Sequence, residues 1–151
     1  MAEKYIDLDI VTLDKVLFKG KVKQITAPTK MGEITVLPNH IPLVATLEAG
    51  ELKMKVNDGE GIYSPDMIYI AVSGGFMEVK PGNIINIIAD SAMRVDEIDE
   101  KKAMEAKEKA EEMLKAFQEG KRHVSDQEFV GASSQLAKAL AELKVARRKR
   151  R

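Results

Sequence analysis

Phe76-Met77-Glu78-Val79-Lys80-Pro81-Gly82-Asn83-Ile84-Ile85-Asn86-Ile87-Ile88-Ala89 decides the fold of the first 90 residues of this 151-residue chain. Two apolar-rich runs, 76–79 and 84–89, are joined across Lys80-Pro81-Gly82-Asn83. Proline presets φ, and glycine and asparagine accept positive φ, so the junction predicts a strand, a tight turn and a second strand. The same grammar spreads upstream. Residues 67–72 form an apolar run bounded by Pro65-Asp66 and Ser73-Gly74-Gly75. Leu52, Met54 and Val56 alternate with Glu51, Lys53 and Lys55, and Asn57-Asp58-Gly59-Glu60-Gly61 supplies a hairpin turn. Near the start, Ile6, Leu8 and Ile10 alternate with Asp7 and Asp9, the period-two signature of a half-buried strand. Eight or more short strands separated by turns predict an antiparallel β-sandwich or barrel over residues 1–90.

Within this region, Ile34 and Val36 lead into a loop bracketed by Pro38 and Pro42, with His40 between them. Each proline fixes φ and biases the preceding residue toward an extended backbone, so His40 is expected on a stiff loop. Rigid polar loops on β scaffolds often carry binding residues, although a two-proline corner with an exposed histidine is an equally good reading of these residues.

Near residue 91 the pattern changes to helical spacing. Asp96 is the expected N-cap of a first helix, with Glu97, Asp99 and Glu100 in its first turn, where the helix dipole favours acids. Its apolar stripe is Ala103, Ala106, Ala110, Met113, Leu114 and Phe117, and Gly120 ends it. Ser125 or Asp126 caps a second helix striped by Phe129, Ala132, Leu136, Ala139, Leu140, Leu143 and Ala146. The short connection predicts an antiparallel two-helix hairpin over 91–151. Its seam is mostly alanine, which contributes about 0.8 kcal/mol per buried methyl against about 1.5–3 for a leucine-sized side chain. The pattern suits both a permanently packed tail and one that docks and undocks. The fold class is therefore mixed β and α: an N-terminal antiparallel β-sandwich followed by a C-terminal helical hairpin.

Composition narrows the chemistry. Hydrophobic residues are 44% and charged residues 32% of the chain, ordinary for a globular protein with a modest core. With no cysteine and two histidines, His40 and His123, neither a thiol nucleophile nor a His-rich metal cluster is expected. The longest apolar run, 41–47, has seven residues with one threonine among them, far short of the roughly 20 that span a bilayer. The first residues lack the apolar core of a signal peptide, so a cytosolic location is expected. No phosphate loop, dinucleotide motif or nucleophile elbow is present, and no catalytic residue is assigned. Formal charge is zero overall, but residues 1–90 hold 9 basic and 12 acidic side chains and residues 91–151 hold 15 and 12, or −3 and +3. The excess lies in Arg147-Arg148-Lys149-Arg150-Arg151, a basic tip suited to an acidic partner. No basic face or stacking aromatics accompany it, which disfavours nucleic acid. On residues alone, a free-standing β-sandwich adaptor with a basic helical tail for an acidic or nucleic-acid partner stays open.

Taken together, several segments resemble one family. These are Gly32-Glu33-Ile34, Leu37-Pro38-Asn39-His40-Ile41-Pro42-Leu43, Ala71-Val72-Ser73-Gly74-Gly75-Phe76-Met77-Glu78-Val79, residues 83–90 and Ala103-Met104-Glu105-Ala106-Lys107. In this order, over nearly the whole chain, they resemble the epsilon subunits of bacterial F-type ATP synthase. The resemblance implies a non-catalytic central-stalk rotor subunit that needs no cofactor and supports ATP synthesis driven by a proton or sodium gradient. It implies binding to the gamma subunit through residues 1–90 and contact with the membrane proteolipid ring at Glu33 and His40. It also implies a hairpin that regulates ATP hydrolysis by reaching the alpha and beta subunits of the catalytic head, here through Lys144, Arg147 and Arg148. The implied location is peripheral, on the cytoplasmic face of the cell membrane. Some members bind ATP through Ile-Asp-x-x-Arg-Ala; here Ile98, Asp99, Lys102 and Ala103 occupy that motif with lysine in place of arginine. Lys138 and Glu142 stand where second-helix arginines are expected, and Met93 replaces a glutamate. Lysine lacks the guanidinium fork and Glu142 opposes phosphate, so weak or absent ATP binding is expected.

Overall fold

The computed structural model describes residues 5–56, 67–120 and 125–150; the turn expected at 57–61, its neighbours Pro65-Asp66, and His123 lie outside them. Eight strands come first: β1 (Ile6–Val11), β2 (Val16–Val22), β3 (Gln24–Thr29), β4 (Gly32–Val36), β5 (Leu43–Lys55), β6 (Met67–Lys80), β7 (Ile84–Ala89) and β8 (Ala92–Arg94). A 3-10 turn (Val95–Glu97) leads to α1 (Glu100–Gln118) and α2 (Asp126–Ala146), and a second 3-10 turn (Arg147–Arg150) follows. The strands hydrogen-bond in the order β2-β1-β7-β6-β5-β3-β4, with β8 on the flank of β6.

This single path becomes a two-layer sandwich because β5 and β6 serve both layers. Residues 43–47 of β5 pair with 75–79 of β6, and residues 49–55 pair with 67–73. Between those stretches the buried positions change parity, from Leu47 to Leu52 and Met54 on β5 and from Ile70 and Val72 to Met77 and Val79 on β6. Such a phase change marks a bend at which a strand passes from one layer to the other. Gly74 and Gly75 make the bend on β6, with φ of +130° and +129°, values that side chains rarely adopt. A Cβ on Gly75 would fall 2.1 Å from the Ile88 carbonyl oxygen. Ile6, Leu8, Ile10, Ile25, Leu52, Met54, Met77, Ile85 and Ile87 fill the space between the layers.

Most strand expectations hold, with two corrections. Ser73-Gly74-Gly75 does not end a strand but bends a continuous one, because two glycines can kink the chain without breaking its ladder. The sheet is also not wholly antiparallel: β1 runs parallel to β7, with Leu8 opposite Ile85 and Ile10 opposite Ile87. Turns read from sequence orient only successive strands, and β1 meets β7 across a long connection that permits either direction.

In the helical part, α1 begins three residues later than expected. Asp99, not Asp96, is its N-cap and accepts from the Lys102 amide at 3.1 Å, while Asp96 and Glu97 sit in the preceding 3-10 turn. Ser125 caps α2 in a reciprocal box with Glu128, and Gly120, at φ +65°, follows the end of α1. The helices pack as the predicted hairpin, with Phe117 and Phe129 rings 4.8 Å apart. Ala103 and Ala110 are buried, but Ala106 is exposed and Leu140 is 46% exposed. The stripe steps from Ala103 to the half-buried stem of Lys107, since a three- or four-residue step fits the spacing equally well. Only α2 makes extensive contact with the sandwich, along β5 and β6.

Gly75→Ala is expected to destabilise the protein by about 3 kcal/mol, through both the forced φ and the clash with Ile88. Gly82→Ala, at φ +85° with open space around it, should cost about 1 kcal/mol. Urea midpoints at constant m-value check both.

Candidate functional site

The loop after β4 crosses the open end of the sandwich. The Asn39 amide donates to the Asn83 side-chain oxygen at 2.5 Å, tying this loop to the β6–β7 turn. Both asparagines have positive φ, +67° and +58°. The Asp7 amide donates to the Asn83 carbonyl at 2.8 Å, so the start of β1 joins the same knot. His40 is half-buried beside Leu37, Val79, Asn83 and Ile85. Its Nδ1 lies 2.7 Å from the Ile41 carbonyl, which makes Nδ1 the protonated nitrogen. Its backbone amide donates to Leu37 at 3.2 Å. Glu33 sits near the other end of β4, about 10 Å of strand away. Its carboxylate accepts from Lys53 Nζ at 3.1 and 3.4 Å. Glu33 and His40 therefore share the β4 edge and its loop, not a single pocket. Among the described residues, no cluster of three or more His, Asp or Glu side chains has the geometry of a metal site.

A second feature lies on the outer face of the β7–β1–β2 layer. Phe76, Ile88, Val11 and Val16 stand opposite one another on β6, β7, β1 and β2. Phe76, Ile88 and Val16 are 58%, 56% and 63% exposed, and Val44 on β5 adds to the patch at 69%. Such a row of adjacent apolar side chains on a sheet face marks an interaction surface.

The basic tip divides in the structure. Lys144 and Arg147 are exposed, whereas Arg148 folds back onto the sandwich. Its Nε and a terminal nitrogen donate to the two oxygens of Glu51 at 3.2 and 3.1 Å, and its guanidinium lies 4.6 Å from the centre of the Tyr69 ring. The alternation on β5 placed Glu51 on a solvent face, but its side chain is 0% exposed because the end of α2 covers it. Val145 and Ala146 of α2 pack there with Ala71 and Ile98. Sequence reading missed Glu51 and Tyr69. The signal was the unbroken apolar run at 67–72, which implies a strand covered on both faces and so a covered neighbour on β5.

Between sandwich and helices, Glu97 accepts from Lys15 Nζ at 2.6 Å and from the Arg94 amide at 3.0 Å. These bonds hold its carboxyl below the usual glutamate range, Lys15 contributing most.

The sandwich and the hairpin each match a described family. Residues 5–95 match the ATP synthase delta/epsilon chain beta-sandwich domain, and residues 96–147 match the delta/epsilon chain long alpha-helix domain. The chain belongs to the ATP synthase delta/epsilon-chain family. It is 38% identical over 144 residues to the ATP synthase epsilon chain of Nitrosococcus oceani, covering 95% of this chain and 94% of that one. It is 47% identical over 107 residues to the epsilon chain of Dichelobacter nodosus, covering 71% and 70%. Among solved structures it resembles a chain in the OSCP/F1/c-ring assembly of the Euglena gracilis mitochondrial ATP synthase, with a TM-score of 0.76 and 23% identity over 97% of this chain and 83% of that one.

The four positions at which the resemblance placed an ATP motif have other work here. Ile98 is buried against α2, Asp99 caps α1 and Ala103 is buried between the helices, which leaves Lys102 exposed. Glu142, half-buried on α2, is pushed up from the usual glutamate range by burial, against the opposing charge of Lys138.

The Glu97 shift gives a pH dependence with a defined sign. A depressed folded-state value contributes stability above the ordinary glutamate range, near 4.5, and loses it as pH falls through the lower folded value. In an NMR titration the Glu97 carboxyl should show a midpoint below that of the same residue in Lys15→Met. Coincident midpoints would rule out the Lys15 contact as the cause.

Proposed function

We propose that this chain is a non-catalytic rotor subunit of ATP synthase whose sandwich joins the stalk and whose hairpin restrains ATP hydrolysis. The observation that carries the regulatory part is the manner of attachment. The hairpin rests on the sandwich through one helix, α2, by a short apolar cluster around Val145 and Ala146 and one side-chain fork. A short apolar cluster and a single fork suit a tail that leaves its seat.

In this reading the apolar row of Val16, Ile88 and Phe76 is the seat of the gamma subunit. The β4 edge, with Glu33 and the His40 loop, faces the proteolipid ring at the cytoplasmic side of the membrane. The knot of Asn39 and Asn83 suits that role, because torque has to pass through a loop that does not yield. When the hairpin is released, Lys144, Arg147 and Arg148 reach acidic surface on the alpha and beta subunits. Several exposed pairs at about 0.2–1 kcal/mol each would make that contact salt-sensitive. No cofactor is required. ATP binding at Ile98, Asp99, Lys102 and Ala103 is weak or absent, because capping and packing engage three of these residues and Glu142 opposes phosphate.

One preparation tests the central claim. Catalytic head assembled with the full chain should hydrolyse ATP more slowly than head assembled with residues 1–95, while both forms co-purify with gamma. Phe76→Lys should weaken that co-purification about tenfold. Equal hydrolysis with and without the helices would sink the regulatory reading; unimpaired Phe76→Lys binding would move the gamma seat elsewhere. Titration calorimetry should detect no ATP binding at micromolar protein, and tight, Lys102-dependent heat would overturn that assignment.

A further inference from the structure

Among the described residues, Glu51 is the one ionisable side chain that is fully buried. It lies on the outer face of β5, opposite Ala71 of β6, while the next outward pair is Lys53 and Tyr69. Lys53 keeps part of its side chain in solvent. Glu51 loses solvent only because α2 and the turn after it lie on top, so with the hairpin undocked it would be an ordinary surface carboxylate. A permanent interface at this position would gain more from an apolar residue, since a buried ion pair is often no more stabilising than well-packed hydrophobic side chains. Removing one partner of such a pair, in contrast, is strongly unfavourable while the other stays buried. A carboxylate here makes docking conditional on its partner.

That partner is Arg148, held in a two-pronged fork at 3.2 and 3.1 Å and capped by the Tyr69 ring. The fork holds the guanidinium even further into its charged range. A planar guanidinium on a carboxylate and a ring face is a specific arrangement that lysine would not reproduce.

We infer that Glu51 and Tyr69 form a latch for the C-terminal helix, and that Arg148 is shared between two mutually exclusive seats, Glu51 when the hairpin is docked and the catalytic head when it is released. The second half rests on the regulatory reading above. Glu51 is thus an internal stand-in for the acidic surface of the partner. Every molecule in which Arg148 occupies the latch is one in which it is withheld from the head.

The test uses the full chain, whose lack of cysteine allows clean labelling of Lys19→Cys with Gln135→Cys, both exposed sites. Spin-label distances give the ratio of docked to undocked hairpin. Glu51→Gln and Arg148→Gln should each lower that ratio about tenfold. The exchanged pair, Glu51→Arg with Arg148→Glu, should restore much of it, and Tyr69→Leu should lower it less. Glu51→Gln preserves side-chain shape, and its urea midpoint reports whether the sandwich is intact. In hydrolysis assays Glu51→Gln should strengthen inhibition by freeing Arg148, whereas Arg148→Gln should not, because it also deletes the group the head would use. An unchanged docked ratio in both single variants overturns the latch. A lowered ratio in Glu51→Gln with unchanged inhibition supports the latch and overturns the shared use of Arg148, whereas the regulatory reading itself falls only if the full chain and residues 1–95 give equal hydrolysis.

Discussion

The bend shared by β5 and β6 is the constraint on which the rest of the molecule depends. Two strands of 13 and 14 residues are each too long for one layer of so small a sandwich, so both cross from one layer to the other at the same level. Leu47 meets Gly75 and Ala49 meets Ser73 on either side of that crossing. The crossing closes one end of the sandwich and leaves the other open, where the β4–β5 loop is drawn across and pinned by Asn83. It also sets the outer surface of the second layer, where α2 lies. A change at the bend would therefore disturb the loop at one end and the helix seat beside the other.

Much of this order was legible in local chemistry, and the illegible parts share one cause. Ile6, Leu8 and Ile10 announced a strand by alternation, the Pro81-Gly82-Asn83 turn announced a hairpin, and Ser125 or Asp126 announced a helix start. Each signal depends on residues close in sequence. The parallel pairing of β1 with β7, the continuity of β6 and the burial of Glu51 depend on elements that meet only in three dimensions. Periodicity also identified apolar faces without saying what each face meets. Ala106 and Leu140 therefore fell outside the seam, while Val145, absent from the expected stripe, is fully buried against the sandwich.

The candidate site was legible to a different degree. The prolines on either side singled out His40, Glu33 and the ring-contact role of both came from resemblance, and what the structure adds is their local bonding: Lys53 on one, the Ile41 carbonyl on the other. Arg148 was visible as one of a basic cluster but not as distinct from its neighbours. Its separation from Arg147 follows from helical geometry, because adjacent residues on a 3-10 turn point about 120° apart and only one of them can face the sheet. A run of like charges can thus hold members with different occupations, one turned to solvent and one inward.

The cluster of Ala71, Ile98, Val145 and Ala146 joins the approach to α1 and the end of α2 at one patch of β6. The two termini of the hairpin are thereby fastened by the same few side chains, although nearly fifty residues of chain separate them. α1 itself leans chiefly on α2, so this patch, the run of α2 along β5 and β6 and the Arg148–Glu51 fork together carry its hold on the sandwich. A displacement of α2 would in consequence carry α1 with it. The first helix thus takes its place on the sandwich at second hand, through the helix that follows it.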